Sequence, residues 1–299
     1  IIQDKKGNLW LGTEDSGITI IEDDKFSYLS TKQGLSSDNI HALCEDNEGI
    51  MWIGTYLGGL NKYNPATKTV KVFKKDKKNK KSLSNNFVYS ILEYSNDELW
   101  VGTQRGLNIY NKKTEDFHLF KPNELNNKFI YDLLRDKKGN IWMCTRFSGI
   151  YKYNPRTDKL QNFSFGKGKN TIFSSNEFIS TYQDSNGDIW FGSLKGGVLV
   201  YQEKSETFKS ITQNDGLPNN NIYGAIEDKN GKIWITSNKG LSQYNKETSE
   251  IVNFNEENGL TTNQFNFKSL YISHFYKLLV SFIKHWFRFA FNFCIHNIC

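Results

Sequence analysis

Proline and cysteine are both rare in this 299-residue chain, with 4 of each. Four Cys exclude a disulfide-dense scaffold, and the lack of any C-x-x-C pair removes the common zinc and redox signatures. No stretch keeps a 3.6-residue apolar period for three turns, which excludes repeats built from strands and helices. The WD and kelch signatures are missing too. Ile1 is followed by neither a basic n-region nor an apolar h-region, so a signal peptide is absent, removed or never present. What the chain does have is 23 Gly and 15% aromatic residues, within a 37% hydrophobic and 23% charged composition. Aromatic-rich segments cut by frequent Gly turns point to β structure, and the apolar fraction excludes a disordered chain.

Formal net charge is +6, but no Asp or Glu follows Glu257, whereas Lys268, Lys277, Lys284 and Arg288 do. The body up to Glu257 is therefore nearly neutral, and its charge gives little support to nucleic-acid binding. The densest basic run, residues 74–81 (KKDKKNKK), lies in a long link between repeats and reads as a solvated insertion rather than a phosphate or membrane contact. No aromatic residue interleaves it, so base stacking is unsupported.

An internal repeat organises the chain. Trp recurs at positions 10, 52, 100, 142, 190 and 234, each at the end of a shared motif. Residues 4–10 read DKKGNLW, 46–52 DNEGIMW, 136–142 DKKGNIW, 184–190 DSNGDIW and 228–234 DKNGKIW; the third copy, 94–100 (YSNDELW), keeps a turn but loses Asp and Gly. In D-x-x-G the carboxylate caps local N–H groups and Gly accepts a positive φ. A short strand L-W-x-G-T follows, then a Gly turn, then strands of the G-L-x-x-Y-N and F-x-x-F kind. A Gly-Leu loop (Gly34-Leu35, Gly216-Leu217, Gly259-Leu260) leads to a last strand beginning near Asn39, Asn86 or Asn221. Four short antiparallel strands per 42–48 residues predict an all-β fold, a β-propeller of four-stranded antiparallel blades. About six repeats are present, an incomplete part of a larger seven-bladed or double propeller. Domain bounds are set at 1–272 for the propeller and 273–299 for an atypical basic and aromatic tail, read as non-native or disordered. Residues 263–272 could pair with the blade begun by Ile1.

The compound pattern D-x-x-G-x-[IL]-W-x-G-T, G-L-x-x-Y-N and G-L-x-x-N-x-I over about residues 1–270 resembles the two-component regulator propeller repeat. Such repeats fill the periplasmic sensor region of hybrid two-component sensor histidine kinases. Residues 258–267 (NGLTTNQFNF) look like that family's GL-x-x-N-E-F-N stretch, with Gln264 in place of Glu. The resemblance implies the sensor region of an inner-membrane protein, located in the periplasm and dimerising through this region. It would detect an oligosaccharide and regulate transcription of glycan-use genes. No kinase, receiver or DNA-binding motif occurs in the chain, so direct nucleic-acid contact is not expected of it. A free-standing scaffold and a propeller lyase are the alternatives.

Candidate residues follow from blade position. The six motif Trp (Trp10, Trp52, Trp100, Trp142, Trp190, Trp234) are assigned to the blade core, because the same position recurs regardless of any ligand. The loops just after G-T would share one face, and there Tyr56, Arg105, Arg146, Lys195 and Lys239 are the candidate ligand contacts. Their cations could recognise the carboxylates or sulfates of an acidic oligosaccharide. His41, His118, Cys44 and Cys144 are expected to be packing residues, and no catalytic constellation, cofactor or metal is expected. In the tail, Lys284, His285 and Arg288 interrupt the apolar stretch 278–295, which argues against a spanning helix. His285, Cys294, His296 and Cys299 make only a weak metal set.

Overall fold

The computed structural model describes residues 1–166, 174–260, 262–272 and 278–282. Six successive four-stranded antiparallel sheets, blades of the β-propeller class, occupy residues 2–29, 40–73, 88–119, 129–163, 178–211 and 222–254. In each the strand order in space is the order in sequence. Blade 2 serves as the pattern, with strands Ile40–Glu45, Met51–Thr55, Gly59–Asn64 and Thr69–Phe73. Its second strand lies centrally, Trp52 opposite Cys44 on one side and Lys62 on the other. The strand leading into each Asp turn thus belongs to the same sheet as the Trp that follows it. Beyond blade 6, Phe265–Ile272 pairs antiparallel with Leu278–Phe282 in a two-stranded sheet. The remainder of 273–299 lies outside the described residues. Helix is confined to one four-residue turn, Pro122–Leu125, and three 3-10 turns among the described residues.

The chain divides into two compact units, Ile1–Arg135 and Asp136–Cys299. In the first, the core lies between neighbouring blades. Trp10, Ile18, Leu35, Met51 and Tyr63 pack blade 1 on blade 2, and Trp52, Leu60, Leu83, Val101 and Tyr110 pack blade 2 on blade 3. In the second, Trp190, Val200, Leu217, Ile222, Ile235 and Tyr244 pack blade 5 on blade 6. The Gly of W-x-G-T is required by this stacking. A Cβ at Gly54 would come within 2.6 Å of Val88 Cγ1, and one at Gly102 within 2.8 Å of the Ile130 carbonyl oxygen. Each Gly thus admits the first strand of the next blade. Cys144 stands at this position in blade 4, fully buried, its Sγ 3.4 Å from the Ser180 carbonyl oxygen.

The Asp turn does more than cap. Asp46 Oδ1 accepts from the amides of Glu48 and Ile50, while Oδ2 accepts from Trp52 Nε1 at 2.8 Å. The Asp–Trp bond recurs from Asp4 to Trp10, Asp136 to Trp142, Asp184 to Trp190 and Asp228 to Trp234, at 2.8–3.0 Å. Each indole N–H enters the core already paired, which removes the cost of burying it. Blade 3 departs from this pattern: Tyr94 takes the Asp position and stacks on Trp100, ring centroids 4.9 Å apart, and the Arg135 guanidinium covers Tyr94 in turn.

Two Lys side chains tie adjacent blades at this same end. Lys112 Nζ donates to Asp46 Oδ2 and Glu93 Oε1, both at 2.8 Å, with all three groups largely buried. Lys246 repeats the arrangement with Asp184 and Glu227. Burial opposes each charge, but the contacts outweigh it. Lys112 and Lys246 are held above the usual ammonium range, and Asp46 and Glu227 below the usual carboxylate range.

Candidate functional site

The end of each blade opposite the Asp turns carries the candidate face. Two kinds of loop meet there, because the hairpin after the Trp strand lies beside the segment that enters the first strand. In blade 2 the Tyr56 amide donates to the Asn39 carbonyl, and the Gly59 amide to that of Asn86 in the next blade's entry. The entry segments are held locally. Ser30, Thr212 and Asn255 cap 3-10 turns that end at Gly34, Gly216 and Gly259 with φ of 95–110°, after which Leu35, Leu217 and Leu260 turn into the core. This is the physical content of the Gly-Leu signature.

Tyr56 and Arg105 belong to the first unit. Tyr56 is exposed, stacks on His41 at 5.6 Å and meets Phe87 edge-on at 4.7 Å. Arg105 is exposed in a two-residue hairpin between Thr103 and Gly106, its backbone held by Ser84 Oγ and Thr103 Oγ1. In the second unit the Arg146 guanidinium covers Phe147 at 4.8 Å and its Nε lies 3.7 Å from Glu177 Oε1. Lys195 is exposed with φ of 70°, its amide donating to Asn221 Oδ1, and Lys239 is exposed in a two-residue hairpin closed by Ser237 and Gly240. The hairpins therefore differ in length. Gln104-Arg105 and Asn238-Lys239 are two-residue turns, whereas Arg146 and Lys195 occupy different places in three-residue turns. The four cations share a blade end but not one equivalent position.

The six motif Trp are all buried, at 3% exposure or less. Cys144 is buried and Cys44 half-buried, its thiol pushed up to about 11 by burial. His118 corrects the packing expectation, being exposed on the outer strand Asp116–Leu119 of blade 3. His41 meets it in part. It is partly exposed and lies in ring contact with Tyr56 and, at 5.2 Å, with Tyr89. Tyr89 in turn meets Tyr131 at 4.8 Å. The first strands supplying His41, Tyr89 and Tyr131 (Ile40–Glu45, Val88–Ser95 and Phe129–Arg135) lie side by side in the first unit. Sequence reasoning missed this set because the rings sit at one blade position that repeats with different residues. The available signal was the residue that follows the first buried apolar position of each first strand, after Ile40, Val88 and Ile130.

Comparison with known proteins adds identity to this geometry. The family model described as "Two component regulator propeller" matches residues 34–57, 82–105, 124–147, 172–195 and 216–239. Each match runs from an entry segment through the Trp strand into the following hairpin. The chain carries two-component regulator propeller repeats. A histidine kinase P4 of Formosa agariphila is 26% identical over 283 residues, covering 89% of this chain and 20% of that protein. Among solved structures, the extracellular domain of a protein described as a hybrid two component system from B. thetaiotaomicron superposes with a TM-score of 0.76 at 20% identity, over 94% of this chain and 38% of that one. A streptogramin B lyase shares the fold, with a TM-score of 0.70 at 12% identity, over 94% of this chain and 88% of that one. The chain thus spans about a fifth of the curated kinase it resembles. No helix among the described residues is long and apolar enough to cross a membrane.

Proposed function

We propose that this chain is the ligand-sensing region of a periplasmic sensor belonging to a hybrid two-component histidine kinase. Its ligand is an oligosaccharide, and occupancy would be passed through a homodimer contact to the kinase to regulate glycan-use genes. The observation that carries the reading is the run of regulator propeller repeats in register with the blades, each delivering a hairpin and an entry loop to the same blade end. Rigid sheets carrying variable loops suit recognition, since the loops can change without disturbing the interblade core. Arg105, Arg146, Lys195 and Lys239 offer charge-assisted contacts to acidic sugars, and Tyr56 a ring face. The chain itself contributes no contact to nucleic acid in this scheme. Calorimetric titration of the protein with neutral and uronate- or sulfate-bearing oligosaccharides tests it. Saturable binding of at least one class is expected, and heat of dilution alone for every sugar would refute it.

A further inference from the structure

The first unit holds a run of aromatic rings that the blade architecture does not need. At its centre is a repeated backbone irregularity. The pairing of the first with the second strand skips one residue in blades 2, 3, 5 and 6, at His41, Tyr89, Ile179 and Tyr223. A bulge of this kind takes a residue out of the ladder and re-aims its side chain. In blade 5 the bulged residue is Ile179, aliphatic and 2% exposed, so the fold accepts a buried aliphatic group there. In blades 2 and 3 the position carries rings that stay partly open to solvent.

Those rings form a continuous series. Tyr56 stacks on His41 with the planes 28° apart, His41 meets Tyr89 at 53°, and Tyr89 meets Tyr131 at 57°. Phe87 braces Tyr56 edge-on. Centroid steps of 4.8–5.6 Å make a strip in which Tyr56 is exposed and His41, Tyr89 and Tyr131 are partly exposed. Its members carry tyrosine hydroxyls and an imidazole besides their ring faces, so the strip offers a ligand both apolar and hydrogen-bonding groups.

We infer that the Tyr56–His41–Tyr89–Tyr131 strip is a stacking platform for the pyranose rings of a neutral oligosaccharide. The inference rests on the oligosaccharide-sensing reading and deepens it by naming the subsite. Sugar rings present C–H faces that pack on aromatic faces and hydroxyl rims that bond to polar edges, which is the division of chemistry along this strip. Charge favours a neutral ligand: the hairpin that carries Tyr56, residues 56–58, holds no Lys or Arg, and Arg105 is the single cation in the three hairpins after the Trp strands of this unit.

The test uses the full chain titrated calorimetrically with cellohexaose, xylohexaose, mannohexaose and laminarihexaose. Galacturonate oligomers serve as the acidic arm and flavin mononucleotide as a planar aromatic arm. Variants are Tyr56→Ala, at an exposed ring, and Tyr89→Leu, which keeps apolar volume while removing the ring. Phe26→Ser, at an exposed outer-strand position of blade 1, is the control. One neutral hexaose is expected to bind, at least tenfold more weakly to each Tyr variant and unchanged to the control. If a neutral hexaose binds the wild type and both Tyr variants within twofold, or if only the acidic oligomers bind, the platform is overturned while sugar sensing stands. Binding of the flavin with no sugar, or no binding at all, overturns both.

Discussion

Asp46 is the group whose loss should be most informative, and Asp46→Asn is the perturbation to make. Its carboxylate is buried and accepts four hydrogen bonds, two backbone amides on Oδ1 and, on Oδ2, the Trp52 indole and the Lys112 ammonium. An Asn side chain has one acceptor end and one donor end. Whichever way it turns, its NH₂ faces two donors, so two contacts are lost and become repulsive. Bonds involving a charged partner contribute about 1.5–3 kcal/mol each. Lys112 still reaches Glu93, which limits the damage. The expected loss at pH 7 is therefore about 3 kcal/mol, measured by urea unfolding followed by near-ultraviolet circular dichroism. The difference should also depend on pH. Asp46 titrates below its unfolded value, so its contribution is complete above about pH 4 and disappears as the pH falls through the folded-state value. The gap between wild type and variant should narrow in that acidic window. A loss under about 1 kcal/mol at pH 7, or a gap that stays constant from pH 7 to pH 3, would refute the reasoning.

Three further outcomes are expected. Lys246→Met leaves Asp184 and Glu227 buried without their cation and should cost about 3–5 kcal/mol at neutral pH. Because Lys246 titrates above its unfolded value, that advantage is full below about pH 10 and declines as pH rises through the folded value, which urea titrations between pH 7 and 11 can follow. Gly102→Ala drives a Cβ against the Ile130 carbonyl and should cost about 1–3 kcal/mol by overpacking, read as a lowered melting temperature; an unchanged value would mean that the blades can shift apart freely. Iodoacetamide at pH 8 should leave Cys44 and Cys144 unmodified in the native protein and alkylate both in urea, as mapped by peptide mass spectrometry, since burial keeps the Cys44 thiol protonated and Cys144 inaccessible.

What the sequence determined by itself is the repeating unit and its fold. Trp at steady spacing, D-x-x-G before it and Gly after it are local signals, because each turn is closed by groups a few residues apart. Within its own turn Asp46 reaches Glu48, Ile50 and Trp52, and Ser30 reaches Lys32 and Gln33. The family was legible for the same reason, since the pattern that defines it is a string of local turns. Tertiary structure decided what crosses from blade to blade. That Asp46 pairs with a Lys 66 positions away, or that Gly54 exists to admit Val88, depends on the packing of two separate sheets, which no spacing rule encodes. The candidate face divides in the same way. Its hairpin residues could be named from their place after G-T, but Arg105 and Lys239 proved to stand in two-residue turns and Arg146 and Lys195 in three-residue ones, at the first and second place of their turns. His41, Tyr89 and Tyr131 are scattered through the sequence and look like ordinary strand residues. A one-residue bulge at His41 and Tyr89 and the side-by-side approach of three first strands turn them into one strip, and both are properties of chain geometry in three dimensions.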